Sequence, residues 1–183
     1  KRRYLFVMDG AKALRSAVKQ VFGKRQFVQR CRLHKIRNVV KELPKDLAPQ
    51  VRAVMRAAFK LDPKEGMARL EQQACWLERE YPGAAASLRE GLAEMFTVAR
   101  LDVPRSLRRC LVSTNLIESP IGTIQYPMGR VTNWQGGEMV ARWAASAFLA
   151  AEKSFRRILG YRDLWQLEAT LRSKELDDQE MVA

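Results

Sequence analysis

Histidine is nearly missing from this sequence, which has only His34, and cysteine is scarce, with Cys31, Cys75 and Cys110. An odd number of cysteines without paired spacing argues against a disulfide scaffold and for reduced thiols in a cytosolic protein. One histidine and no G-x-S-x-G elbow leave no material for a hydrolase triad. Without a glycine-rich phosphate loop, nucleotide-driven chemistry has no seat. Apolar runs are short too, and none approaches the roughly 20 residues of a membrane span. The run Tyr4 to Met8 is too brief for a signal peptide and meets Asp9 at once. An initiator Met is lacking, so the expectation is a piece of a longer protein.

Positive charge is what the sequence has in excess: 33 Lys and Arg against 20 Asp and Glu give +13 over 183 residues. The excess lies in the first third, where residues 1–60 carry 17 basic against 3 acidic side chains. Residues 61–120, with 8 against 9, and 121–183, with 8 against 8, are balanced. Such a cluster predicts a polyanionic partner, because each neutralised phosphate releases counterions. A solvated basic face is the plain alternative. An anionic membrane is disfavoured, since no basic amphipathic helix with a bulky aromatic face stands apart from the core.

Tyr4 to Met8 reads as a buried central strand closed by the Asp9-Gly10 turn. Ala13, Leu14, Ala17, Val18 and Val21 recur at helical spacing over 11–21, and Gln26 to Cys31 reads as a second strand. Strand, helix and strand in so few residues form an α/β unit with parallel strands. Residues 33–96 are helical in period apart from breaks at Pro44, Asp62-Pro63 and Tyr81-Pro82-Gly83. One apolar stripe runs through Leu47, Val51, Val54, Met55, Ala58 and Phe59, another through Met67, Leu70, Ala74 and Leu77. The pattern is that of a helical domain inserted in an α/β core. Leu101 to Ser113 reads as irregular, with a basic cluster at Arg105, Arg108 and Arg109. Ser113 to Glu118 reads as a helix start and Tyr126 to Gly137 as a loop. A long helix follows over 138–159, with Trp143, Phe148 and Phe155 in the core. A last amphipathic segment, 161–171, holds Trp165 in the core and precedes a frayed acidic tail.

Asp9, at the end of a strand and followed by glycine, stands where α/β proteins place metal ligands and catalytic acids. It equally suits a turn residue that caps the next helix. Glu118 falls at the third helical position after Asn115, which fits a capping box, although Pro120 complicates that helix start. Cys31 and His34 have half of a zinc-finger spacing without a second ligand pair, and a hydrogen-bonded pair joining strand to insertion fits better. Trp134, in a loop, suits either packing or stacking on an unpaired base.

Three stretches together resemble one family: Val7-Met8-Asp9-Gly10, then Gln29-Arg30-Cys31-Arg32-Leu33-His34-Lys35-Ile36-Arg37-Asn38, then Ser113-Thr114-Asn115-Leu116-Ile117-Glu118-Ser119. The chain resembles the C-terminal half of a bacterial Mutator-type insertion-sequence transposase. The resemblance implies an RNase H-like fold with a DDE triad, a helical insertion between the second Asp and the Glu, and a Cys-x-x-His motif at the insertion's start. Asp9 then matches the second catalytic Asp and Glu118 the catalytic Glu, and the two would hold Mg²⁺ or Mn²⁺ for cleavage and strand transfer of DNA ends. The implied partners are terminal-repeat and target DNA, with a homodimer on paired ends, and the implied place is the bacterial cytoplasm at the nucleoid. Arg30, Arg32, Lys35 and Arg37 are the expected phosphate contacts. No acid precedes Asp9, so the first Asp of the triad is missing and the chain is expected to be inert as it stands. Gln125 to Met128 departs from the more basic stretch that the family implies. A noncatalytic DNA-binding remnant is the alternative, and a helical interaction module without nucleic acid a third reading.

The expected class is therefore helix-rich α/β: part of an RNase H-like core over 1–32, an all-α insertion domain over 33–112, and a return to the core with the Glu118 helix over 113–183.

Overall fold

The computed structural model describes residues 2–180, with side chains through Lys174. Strand formers at either side of a helix make the expected α/β unit: β1 (Leu5–Met8), α1 (Lys12–Phe22) and β2 (Phe27–Arg30). The strands pair in parallel, with Leu5 opposite Phe27 and Met8 opposite Arg30. A parallel pair needs a crossover, and α1 supplies it. β1 differs from the expected buried central strand, because the sheet has two strands among the described residues and only Met8 of β1 is buried. On α1 only Val18 is buried, while Leu14 and Val21 stay exposed.

The helical period of residues 33–96 becomes α2 (Arg32–Lys41), α3 (Ala48–Ala58), α4 (Pro63–Glu78), α5 (Pro82–Arg89) and a 3₁₀ turn at Ala93–Phe96. Pro63 and Pro82 occupy first helical positions, where a missing N–H costs nothing. Asp62 caps α4 by accepting from the Lys64 amide at 3.0 Å. The two expected stripes meet: Val51, Met55 and Ala58 of α3 pack with Leu70, Ala74 and Leu77 of α4, and Leu88, Met95 and Phe96 close the cluster. Gly66 makes this approach possible, since a Cβ there would lie 2.6 Å from both the Ala58 carbonyl oxygen and the Phe96 ring.

The stretch expected to be irregular after Leu101 contains a helix. After α6 (Thr97–Arg100), Pro104 opens α7 (Arg105–Leu111), and Leu107 packs with Val98 and Val103. Leu5 and Phe27 of the sheet and Leu167 and Leu171 of the last helix join this second cluster. Then come α8 (Asn115–Met128), α9 (Gly137–Glu152), a 3₁₀ turn at Tyr161–Asp163 and α10 (Leu164–Glu180). α8 runs on through Pro120 and Pro127, so the expected loop shrinks to 129–136. α9 ends earlier than the apolar period suggests. The Ser154 amide and hydroxyl both turn back to the Ala151 carbonyl, at 2.9 and 2.7 Å, and close the helix.

The aromatic residues assigned to the core from periodicity are outside it: Trp143, Phe148, Phe155 and Trp165 are all exposed. α9 meets α8 through the small residues Ala147 and Ala151 against Ile124, a narrow seam that leaves its bulky side chains facing away. The acidic tail, expected to fray, is helical as far as Glu180, and its end at 181–183 lies outside the described residues.

Candidate functional site

Asp9 directly follows β1. Its Oδ1 accepts the Ala11 amide at 3.0 Å, an Asx turn that carries the chain into α1, and the residue is exposed. The turn depends on Gly10, whose φ of +106° favours glycine and whose α-carbon lies against the Arg30 guanidinium.

β2 ends in the same place. The Cys31 amide donates to the Met8 carbonyl at 2.8 Å, extending the ladder by one residue, and the next amide, Arg32, donates to Val112 at 3.0 Å. That second bond brings the segment before α8 to the end of β2. Thr114 is the residue that joins them. Its hydroxyl lies 3.3 Å from Cys31 Sγ and 3.3 Å from His34 Nδ1, and it donates to the Glu118 carboxylate. His34 Nδ1 lies 3.3 Å from Cys31 Sγ and 3.5 Å from Glu118 Oε1. Burial pushes the Cys31 thiol up, but hydrogen bonds from Thr114 and His34 outweigh it and hold the thiol below its ordinary value. Cys31 and His34 are thus a hydrogen-bonded pair.

The capping-box expectation for Glu118 is corrected. Thr114, not Asn115, is the N-cap, so Glu118 is the fourth helical residue, and its amide donates to the Thr114 carbonyl at 3.0 Å. Its carboxylate holds the Thr114 hydroxyl and leaves the cap backbone alone. Asp9 and Glu118, more than a hundred residues apart, are in this way tied to the adjacent ends of β1 and β2.

Three of the four expected phosphate contacts face inward. Lys35 is fully buried, with Nζ 2.6 Å from the Ser87 carbonyl and 3.4 Å from Glu90. Arg30 is buried and donates to the same Glu90 at 2.9 Å, while its Nε has no partner among the described residues. Arg32 donates to the carbonyls of Met95 and Phe59, at 2.8 and 3.1 Å, and lies over the rings of Phe59 and Phe96. Burial, reinforced by Arg108, lowers Arg32 to about 10. Burial and then Arg30 lower Lys35, against the opposing pull of Glu90. These cations bolt the end of β2 and α2 to the segments packed around them, and a phosphate could reach them only by displacing protein partners. Arg37 alone is exposed. The spacing held a signal for this: Arg32, Lys35, Ile36 and Val39 recur at three and four residues, the face that α2 buries. Trp134 sits partly exposed in the loop between α8 and α9.

Asp9 and Glu118 are hard oxygen donors of the kind that Mg²⁺ prefers, and they suit it as part of a ligand set. No group of three or more His, Cys, Asp or Glu side chains is arranged to hold a metal ion among the described residues. No helix among them is long and apolar enough to cross a membrane.

Residues 2–125 match the family described as Transposase, Mutator family, a span that takes in Asp9, Cys31, His34 and Glu118. Over 130 residues the chain is 28% identical to the transposase for insertion sequence element IST2 of Acidithiobacillus ferrooxidans. The match covers 70% of this chain and 43% of that protein, so the chain spans less than half the length of this relative.

Proposed function

The chain belongs to the Mutator family of transposases, and on that premise we propose that it works as part of a DNA transposase that cuts element ends and joins them to target DNA by a DDE mechanism. One observation carries the reading: Asp9 directly follows β1, and Glu118 is tied through Thr114 to Cys31, which directly follows β2. Two acids at one edge of a parallel pair are the start of a site for Mg²⁺ or Mn²⁺. A divalent ion bound by these acids would supply charge stabilisation to the phosphate oxygens exchanged in cleavage and transfer. Asp9 and Glu118 contribute oxygen donors, and Thr114 orients the Glu118 carboxylate. The reaction uses three acids, of which Asp9 and Glu118 supply two. In the same reading the sheet belongs to an RNase H-like core, residues 33–112 are its helical insertion, a homodimer binds paired terminal repeats, and the protein works on DNA at the nucleoid in the bacterial cytoplasm.

A full-length transposase carrying these residues tests the proposal. D9N and E118Q each reduce end cleavage by about a thousandfold or more, equivalent to about 4 kcal/mol of barrier, while terminal-repeat binding stays within a few-fold. Cleavage that survives either change overturns the assignment. The alternative, a DNA-binding remnant without catalysis, draws on the way Glu118 is engaged by Thr114 and His34, as a purely structural carboxylate is. It predicts that E118Q lowers stability and DNA binding together.

A further inference from the structure

Exposed cations also gather around α7, in a part of the sequence that carries no net charge. Two open grooves flank α7. One, of about 520 Å³, lies against α6 and residues 59–61, just after α3, and has Lys60, Arg105 and Arg108 in its walls. The other, of about 800 Å³, lies between α7, α8 and residues 154–159, with Phe155, Arg156 and Arg157 in its walls. Arg109 lines both, and neither lining contains an Asp or a Glu. Some of these cations are engaged: Arg108 pairs with Asp102 at 2.8 Å, and Arg157 donates to the Tyr161 hydroxyl at 2.9 Å. Arg109 and Arg156 are exposed and have no ion-pair partner among the described residues. Exposed guanidinium groups without a carboxylate nearby attract phosphate. Phe155 stands beside them, 46% exposed, a ring face open to stacking. The start of α8 puts Asn115, Leu116 and Ser119 into the wall of the second groove, and Glu118, next to Ser119 in the chain, lies just outside that lining.

We propose that the two grooves form one track for single-stranded DNA, whose phosphates meet Arg109 and Arg156 and one of whose bases stacks on Phe155, leading the strand to Glu118. The inference rests on the transposase reading for its ligand and for the role of Glu118. Alternating cation and aromatic ring is what distinguishes an unpaired strand from a duplex here, because a duplex offers no free base face.

The test is fluorescence anisotropy of a labelled DNA single strand and of its duplex, bound by the chain across a salt series. R109Q/R156Q removes two phosphate contacts and flattens the plot of log K against log salt by about 1.4 for the single strand. F155A weakens single-strand binding about tenfold and leaves the duplex nearly unchanged. K12Q/K19Q makes the same change of net charge on the exposed surface of α1 and costs clearly less. All three alter exposed side chains, and an unchanged thermal melt shows that each variant folds. Equal flattening by the two double variants overturns the track, as does equal weakening of single strand and duplex by F155A, displacement of the strand by polyglutamate at equal charge, or no binding by the native chain. The cleavage test of D9N and E118Q reads the catalytic proposal separately. Cleavage that survives D9N while the track variants behave as described sinks that proposal and leaves the binding surface standing.

Discussion

Residues 36–96 and the α8–α9 pair have similar apolar periodicity and opposite fates. In the first region α2 to α5 and the 3₁₀ turn surround one cluster, and Val51, Met55, Leu70, Leu77, Leu88 and Phe96 lose all contact with solvent. In the second, two helices share a seam of Ile124, Ala147 and Ala151, while Leu116, Ile117, Ile121, Trp143, Phe148 and Leu149 stay exposed. An amphipathic stripe states which face can be buried, and the number of neighbours decides whether it is. Two helices hide only the strip between them. Four helices and a turn enclose a volume.

The largest expected difference is at Phe96. F96A opens a cavity in a closed cluster and costs about 3–5 kcal/mol by denaturant unfolding. W143A, which removes an even larger side chain from α9, shifts stability by about 0.5 kcal/mol or less. Comparable losses at the two sites would mean that Trp143 has a packing partner and would break the contrast.

A smaller effect sharpens it from the opposite direction. Alanine favours a helix over glycine by about 1 kcal/mol, yet G66A forces a methyl into the Ala58 carbonyl and the Phe96 ring. Overpacking costs about 1–3 kcal/mol in a filled core, so the net expectation is a lower melting temperature. A gain would show that α3 and α4 can part without cost.

The smallest effect is electrostatic. Burial pushes Glu90 up, but Arg30 and Lys35 together outweigh it and hold the carboxyl below its ordinary 4.5. A lowered folded pKa stabilises the protein above the unfolded value and loses that contribution as pH falls through the folded one. Melting temperature should therefore drop as the solution is acidified below 4.5, leaving the two cations without their shared partner. E90Q should already be less stable at neutral pH and show a shallower acid drop. Parallel acid profiles for the native chain and E90Q would remove Glu90 from the account.

Much of the fold was legible. The strand, helix and strand of the first 31 residues follow from short apolar runs around one amphipathic stretch, and the prolines at 63 and 82 mark helix starts where they fall. Asp9 and Glu118 were legible as candidates through their motifs. Thr114 was not, because a hydroxyl's role depends on what surrounds it, and Cys31, His34 and Glu118 converge on it from separate parts of the chain. Charge was the most misleading signal. The basic excess of the first third pointed to phosphate contacts at Arg30, Arg32 and Lys35, and a count of charges carries no information on the direction of a side chain.

By itself the sequence determined the helical periods, the two strands, the glycine turn after Asp9 and the ordered motifs by which the family is known, because each rests on spacing between near neighbours. Tertiary structure alone decided that the buried Lys35 and Arg30 would share the exposed Glu90, that Arg109 and Arg156 would face an acid-free groove, and that Glu118 would stand near the end of β2. The physical reason is the same in each case: burial and charge pairing are properties of neighbours in space, and here those neighbours lie some fifty to more than eighty residues apart along the chain.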